Sequence, residues 1–524
     1  MAKPHAKSGS NPISVLTPAE ILRVEWLELT SNREQVLSWL KQDLQTAVEI
    51  ELATIPIYLY TYYSLVRNNT SGENLDAVQQ FVNKAGGMIM SVAVEEMLHM
   101  SLSANIYFAL CGTAPQIYKK SPGPYPTGLP YHSPEGPPGP EAGSHRSSPV
   151  SIPLARFSYE QLWHFLQIEY PEAVDAWPED RNWNTIGQFY SNIRCLISTQ
   201  FVTDADFQNG AKASQIQSYN YSPNNVDTVY PSAPFNAWIP APPANASWAP
   251  ANGLSGARSA VYPDAPDSHA GPVELLSVDS KNAALEAIDT ISDQGEGYAR
   301  PWQGEEPTDD PSKREDSHYY KFLSLQAQLV QYPQHREKLA AAPVPPGQIP
   351  PVFGPDALSG LVVDFPNSPR TAYYPVELQP LSDFCNGLFQ YMLIMTETVY
   401  RVPPAGQKLF FNVGLHRSMI WVLDKYLRNM REMQIRSGLY QGRYFAPTFE
   451  CVDLGPPETS FSALATLGET AVAAANNIID NLPGDDPWVS PLGNLIYYIG
   501  VATTKTVDGH SMHLPDVGPY WKQG

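Results

Sequence analysis

The segment GGMIMSVAVEEMLHMSLSANIY, Gly86 to Tyr107, sets two adjacent glutamates and a histidine inside an otherwise apolar and small-residue run. Glu96 and His99 stand three apart, so on a helix they share a face with Ile89, Val92, Ser103 and Ile106. That face reads as core. An ionised carboxylate in an apolar interior is costly unless it is paired or bound to a metal. No Lys or Arg falls between Lys84 and Lys119, so the compensating charge must come from elsewhere in the fold. Glu95 lies about 100° round the helix and reads as solvated or as support for the ligands.

A second carboxylate has the same setting. EIELATIPIYLY places Glu51 among Ala47, Ile50, Thr54, Ile55 and Tyr58, with no cation before Arg67. REDSHYYKF then repeats the Glu-x-x-His spacing at Glu315 and His318. One such spacing recurs by chance in most large proteins; two of them beside an apolar-flanked glutamate are a stronger signal. Dinuclear carboxylate bundles use one Glu from each of two helices and Glu-x-x-His from each of the other two. The remaining carboxylate has four candidates, Glu286, Asp289, Asp293 and Glu296, which fall on one helical face, and spacing alone does not choose among them.

The rest of the chain is consistent with a buried centre. A net charge of -20 argues against a nucleic-acid surface and against an anionic membrane patch, and leaves a small molecule as the expected partner. Cys111, Cys195, Cys385 and Cys451 are far apart, without C-x-x-C pairs, so neither a zinc knuckle nor a disulfide framework is expected. No signal peptide and no apolar run long enough to span a membrane is evident, and the chain reads as soluble, reduced and cytoplasmic. There is no GxSxG, no Walker loop and no GxGxxG after a strand.

The 51 prolines mark where helices are absent. Helical periodicity covers Arg33 to Arg67, with Pro56 inside, and Leu75 to Cys111, which Gly112 stops. Shorter helical patterns follow at Phe157 to Glu169, Trp183 to Ser198, Ser280 to Gly295 and Lys313 to Gln331. Proline-rich excursions, Ser121 to Pro153 and Asn220 to Pro272, separate them; their Tyr and Trp content suggests an aromatic substrate pocket over the metal. Beyond another proline-rich linker, Leu381 to Arg401, Gln407 to Arg436, Ser460 to Leu482 and Leu492 to Thr503 form a helical layer without a motif of its own. The expected organisation is a metal-binding bundle with loop insertions over residues 1–335 and a C-terminal helical region, 336–524, packed on it.

In chain order, ELATIPIYLY, EEMLHM, TIGQFY, DQGEG and SHYYKF resemble the ferritin-like domain of the iminophenyl-pyruvate dimer synthase type, from violacein and bisindole pathways. The likeness runs from Gln35 to Phe322, with a fainter echo at FAPTFE. It implies a mainly α, ferritin-like four-helix bundle with long insertions and a C-terminal helical extension. It also implies Glu51, Glu96, His99, Glu296 and His318 as metal ligands, with Glu315 less firmly placed. One position departs from the pattern: the family motif reads TIGEFY, and Gln188 stands where that acid is expected, which makes the centre less negative and questions whether it holds one metal or two.

Histidine nitrogen with carboxylate oxygen suits non-haem iron or manganese, and zinc shares the ligand chemistry. The functional expectation is a metal-dependent oxidative enzyme of secondary-metabolite biosynthesis; the resemblance implies oxidative coupling of imines from aromatic 2-oxo acids. Tyr58, two turns beyond Glu51, is the candidate catalytic neighbour. Competing readings are a non-catalytic ferritin-like scaffold and a divalent-metal hydrolase or hydratase. Each ligand also has a plainer role: a core histidine, Glu51 paired to a distant Arg such as Arg194, Glu315 at a helix N-terminus, and DQGEG as a glycine-rich helix end.

Overall fold

Two long helices carry the molecule, and both begin where the sequence supplies a cap. Asn32 and Gln35 exchange side-chain and backbone hydrogen bonds in a capping box, and Asp76 caps the second helix through the Gln79 N–H. In this computed structural model, which describes residues 16–67, 75–132, 151–172, 176–217, 275–295, 317–329, 353–507, 510–511 and 513–522, the first three helices are α1 (Pro18–Thr30), α2 (Arg33–Tyr63) and α3 (Ala77–Cys111). Helix α1 has no counterpart among the sequence expectations. Helix α3 ends at Gly112, whose φ of 73° lets its N–H reach back to the Phe108 carbonyl at 2.8 Å.

Helices α2 and α3 are antiparallel. Gln45, in the first half of α2, bonds the Gln116 carbonyl beyond the end of α3 at 2.9 Å, whereas Gln79, at the start of α3, bonds the Val66 carbonyl beyond the end of α2 at 3.1 Å. Four shorter helices complete a bundle: α4 (Tyr159–Ile168), α5 (Ile186–Ser198), α6 (Lys281–Gln294) and α7 (His318–Gln326). Along α2, Tyr58 meets Phe165 of α4, and Glu51 and Asp43 meet Tyr190 and Asn192 of α5. Along α3, Glu95 meets His318 and Lys321 of α7, and His99 meets Gln294 of α6. The third and fourth members of the bundle are thus each built from two helices strung end to end. Their interruptions, after Glu169 and after Gly295, lie at the level of Glu51, Glu96 and His99.

The expected helix from Lys313 to Gln331 is shorter, because it begins at His318 after an extended Ser317 and ends at Gln326. Of the first excursion, Thr127–Gly128 and Ser151–Ile152 form a short antiparallel pair, β1 with β2. The excursion from Asn220 to Pro272, and the middle of the first, lie outside the described residues.

Every residue of α2 from Ile50 to Tyr63 is buried, so this half of the helix is covered on all sides. Beyond the bundle helices, part of the cover comes from the C-terminal region, whose helices are α8 (Gln379–Val399), α9 (Pro404–Phe410), α10 (Asp424–Met430), α11 (Pro457–Asp480), α12 (Val489–Thr503) and α13 (Gly518–Trp521); Phe389 and Met392 of α8 lie beside Ile55 and Leu59. Two π-helical stretches, Phe411–His416 and Ser418–Leu423, join α9 to α10, so the helix expected from Gln407 to Arg436 is a continuous helical run from Pro404 that ends at Met430. Tyr63 donates to Asp424 at 3.3 Å, Arg428 donates to Tyr62 at 2.8 Å, and one apolar core is continuous across both regions. All four cysteines are free. No described helix is long and apolar enough to cross a membrane.

Candidate metal centre

The buried charge that opened the sequence question sits where α2, α3, α4 and α7 meet. Glu51, Glu96 and His99 offer ligand atoms within 4.8 Å of one another, and Glu96, Glu169 and His318 do the same. Glu96 belongs to both groups. All five side chains are buried. The two imidazole rings face each other, with centroids 5.4 Å apart and planes 24° from parallel.

The two histidines are oriented alike. Nε2 of His99 is 3.0 Å from Oε1 of Gln294, and Nε2 of His318 is 2.8 Å from Oε2 of Glu95. Each Nε2 faces one of these oxygens, and each Nδ1 turns inward: to Glu51 at 3.8 Å for His99, and to Glu96 at 2.9 Å and Glu169 at 3.5 Å for His318. His318 Nδ1 has no aligned hydrogen-bond partner despite these short approaches. A lone pair surrounded by carboxylate oxygens is repelled unless a cation or proton lies between them. Three carboxylates and two inward nitrogens therefore fit a cluster of transition-metal ions, with Glu96 between two positions.

The protonation pattern agrees. Burial pushes Glu96 well above the ordinary carboxylate range, and the neighbouring charges of Glu51 and Glu169 push it further, against the pull of His318. Glu51 is buried too, yet the hydrogen bond and charge of His99 outweigh that and hold it low. Burial lowers His318, but Glu169, Glu95 and Glu96 outweigh burial and raise it well above the usual value. Without metal, the crowded acids hold protons that a bound divalent ion would displace.

A supporting layer fixes the ligands. Tyr190 donates to Glu51, and Tyr58 donates to Glu169. Burial first, then the adjacent carboxylate, keeps each phenol protonated. Thr54 donates to Glu96 at 2.9 Å. Lys321 places its ammonium 2.6 Å from Glu95, so that Glu95 forms a charge-neutral pair beside the cluster; burial would raise this carboxyl, but Lys321 and His318 hold it down to about 2. Glu95 is accordingly buried support, and the solvated alternative does not hold.

Most of the expected site residues are brought together, with particular corrections. Glu51, Glu96, His99 and His318 converge, and Tyr58 touches the cluster through Glu169. Glu296 and Glu315 lie outside the described residues. Of the other acids considered, Asp289 pairs with Arg194 at 3.3 Å and Asp293 lies on an exposed position; neither they nor Glu286 join a ligand cluster among the described residues. Arg194 is thus committed to Asp289 rather than to Glu51. The carboxylate that sequence reasoning missed is Glu169, the residue that ends α4. Its only local signal was an acid at the end of an amphipathic helix, which is commonplace. Tyr190 and Lys321 were missed for the same reason.

Gln188, where the resemblance expects an acid, sits at the start of α5. Its side chain accepts from the Thr185 N–H at 3.3 Å, closing the capping box that starts α5, accepts also from the Asn184 N–H at 2.8 Å, and donates to the Trp177 carbonyl at 3.1 Å. That side chain works at the helix end. A cavity of about 20 Å³ touches four of the five clustered side chains, Glu51, Glu96, His99 and Glu169, and is closed by Tyr190 and by the ends of α5 and α6.

Comparison with known proteins bears on the fold. A ferritin-like family profile matches residues 44–234 and 257–327, half of the chain. Among solved structures, the chain is similar to a ferritin-like protein from Caulobacter vibrioides, at 16% identity and a TM-score of 0.33 over 73% of this chain and 94% of that one. A comparison with curated proteins finds no match.

Proposed function

The chain belongs to the ferritin-like family, and from that premise we propose that it is a metal-dependent oxidative enzyme acting on a small molecule, with a non-haem dinuclear centre. Glu51, Glu96 and His99 hold one ion, and Glu96, Glu169 and His318 hold the other. The observation that carries the reading is the sharing of Glu96 by two Glu-Glu-His groups whose histidines both turn Nδ1 inward. The second Glu-x-x-His makes Glu315 the proposed fourth carboxylate, and Glu296 remains a proposed ligand from the resemblance.

A redox-active metal bound there supplies electrons to oxygen or peroxide. The protein's own contribution is positional. Glu96 spans the two positions, Tyr58 and Tyr190 hold Glu169 and Glu51 in place, and Gln294 and the Glu95–Lys321 pair fix the rings. Burial excludes bulk water from the cluster. Iron fits this donor set and manganese shares it; zinc in the same ligands would direct the site to hydrolysis. The motifs ELATIPIYLY, EEMLHM and SHYYKF support imines of aromatic 2-oxo acids as the first substrates to test, with oxidative coupling as the reaction. Residues 1–335 are proposed as the metal-binding unit and 336–524 as an extension that encloses α2.

Elemental analysis of purified protein, with aerobic and anaerobic turnover of such an imine, tests the reading. Stoichiometric iron or manganese and oxygen-dependent turnover are expected. Absence of bound transition metal, or turnover indifferent to oxygen and peroxide, would sink it.

A further inference from the structure

Where the bundle meets the C-terminal region, a second cavity of about 50 Å³ lies between α2, α3, α8 and the second π-helical stretch. Four methionines line it: Met90 and Met97 from α3, Met392 from α8 and Met419 from the π-helical stretch. It is separate from the metal cluster. Successive residues turn about 100° round a helix, so Met97 leaves α3 on a different face from Glu96, and none of the five clustered side chains is among its described walls. Tyr63 and Asp424 are the polar side chains in those walls, and each is already engaged: Tyr63 donates to Asp424 at 3.3 Å, and Arg428 donates to the same carboxylate at 3.0 Å. A buried water needs roughly two to four polar partners, and the remaining thioether, aliphatic and aromatic walls offer no strong one.

We propose that this cavity is a binding site for a small apolar molecule of the size of dioxygen. An engineered apolar cavity of about 150 Å³ stays dry and binds benzene or xenon; a space of about 50 Å³ takes a smaller body, a diatomic gas rather than an aromatic ring. Methionine suits such a wall because its unbranched, polarizable side chain reshapes around an occupant, and four of the 11 in the chain meet here. Ile55 of the same wall stands one turn from Glu51 on α2, and Met97 follows Glu96 on α3, so a molecule held here waits beside the helices that carry the ligands. That consequence rests on the oxygen-using centre proposed above; binding in the cavity does not.

The test is methyl NMR of the air-equilibrated, full-length protein, labelled with carbon-13 at the methionine methyls, under dioxygen pressure and again under the same pressure of nitrogen. Dissolved dioxygen is paramagnetic and speeds the relaxation of the methyls beside it, and the nitrogen reference removes the contribution of any bound metal. Met90, Met97, Met392 and Met419 are expected to show a several-fold larger dioxygen effect than Met430 and Met433, which are fully buried but outside these walls. Val94→Phe fills the space from a half-buried position on α3 and should remove the excess. Leu59→Ala enlarges the space from α2 and should raise it. An effect spread evenly over all buried methionine methyls overturns the inference, as does an excess that Val94→Phe leaves intact or, should that variant not fold, one that Leu59→Ala does not raise. Metal content is no part of this readout, so failure of the metal-centre reading is a separate outcome.

Discussion

Glu96 Oε1 lies 2.9 Å from Nδ1 of His318, although the two residues come from helices separated by more than two hundred positions in the chain. The same glutamate belongs to a group with His99, one turn away on its own helix. A carboxylate shared in this way makes both metal positions depend on it. Glu96→Ala is therefore expected to lose both ions, while His99→Ala and Glu169→Ala each retain about one of the two a dinuclear bundle holds. Metal-to-protein ratios check this; equal retention in all three variants would remove Glu96 from its bridging place.

Glu95 and Lys321 form a buried pair whose partners cannot be removed singly. Lys321→Met leaves an uncompensated carboxylate and should cost about 3–5 kcal/mol in metal-free protein. The double variant with Glu95→Gln should recover a large part of that loss in a denaturation cycle. Because the folded carboxyl is depressed to about 2 from an ordinary 4.5, its stabilisation is present above pH 4.5 and fades as pH falls toward 2. Metal-free Glu95→Gln should lack this acid-induced loss, and an identical acid profile would contradict the pairing.

Asp43 is a liability of the fold. Burial raises it to about 7, helped by the charge of Asp180 and opposed by Arg181, Asn192 and Arg23. An acid raised in the folded state carries a penalty that is absent below its unfolded value of 3.8, grows as pH rises to about 7 and stays level above. Asp43→Asn keeps an acceptor for Asn192, which donates to Asp43 at 3.0 Å. It should stabilise the protein at pH 7.5 by up to about 4 kcal/mol and have little effect at pH 3.5. Urea midpoints at the two pH values decide; a gain that is equal at both would rule out the ionisation as its cause.

The tyrosines that touch the ligands should separate by position. Removing a supporting hydrogen bond typically weakens metal binding about 10–100-fold. Tyr190→Phe is expected to loosen the ion beside Glu51, and Tyr58→Phe the ion beside Glu169, each leaving the other site filled. Competitive chelation with two resolved steps reads the difference, and a uniform loss from both sites in either variant would count against it.

Gln188→Glu makes the opposite kind of prediction. Its side chain serves the N-cap of α5, and a glutamate closes the same capping box. Metal stoichiometry should stay at the wild-type value, with stability within about 1 kcal/mol. A gain of a metal equivalent in this variant would return position 188 to the ligand set.

The chain itself determined the helical core and half of the site. Burial in α2 and α3 follows from apolar periodicity, and Glu51, Glu96 and His99 were legible because a charge inside an apolar helix conflicts with its surroundings and asks for a partner. His318 was legible through its repeated spacing and through family likeness. Glu169, Tyr190 and Lys321 gave no comparable signal, since an acid at a helix end, a tyrosine in a capped helix and a lysine on a short helix each satisfy local rules without any metal. Gln188 stood out in the sequence only as an amide where an acid was expected; that its side chain closes a helix cap is visible only in the structure. Only the tertiary structure could assign these residues, because ligation depends on which side chains from distant segments point at one volume. The helix ends at Glu169 and Gly295 were likewise readable as stops, but their meeting at one level beside Glu51 and His99 is a property of packing.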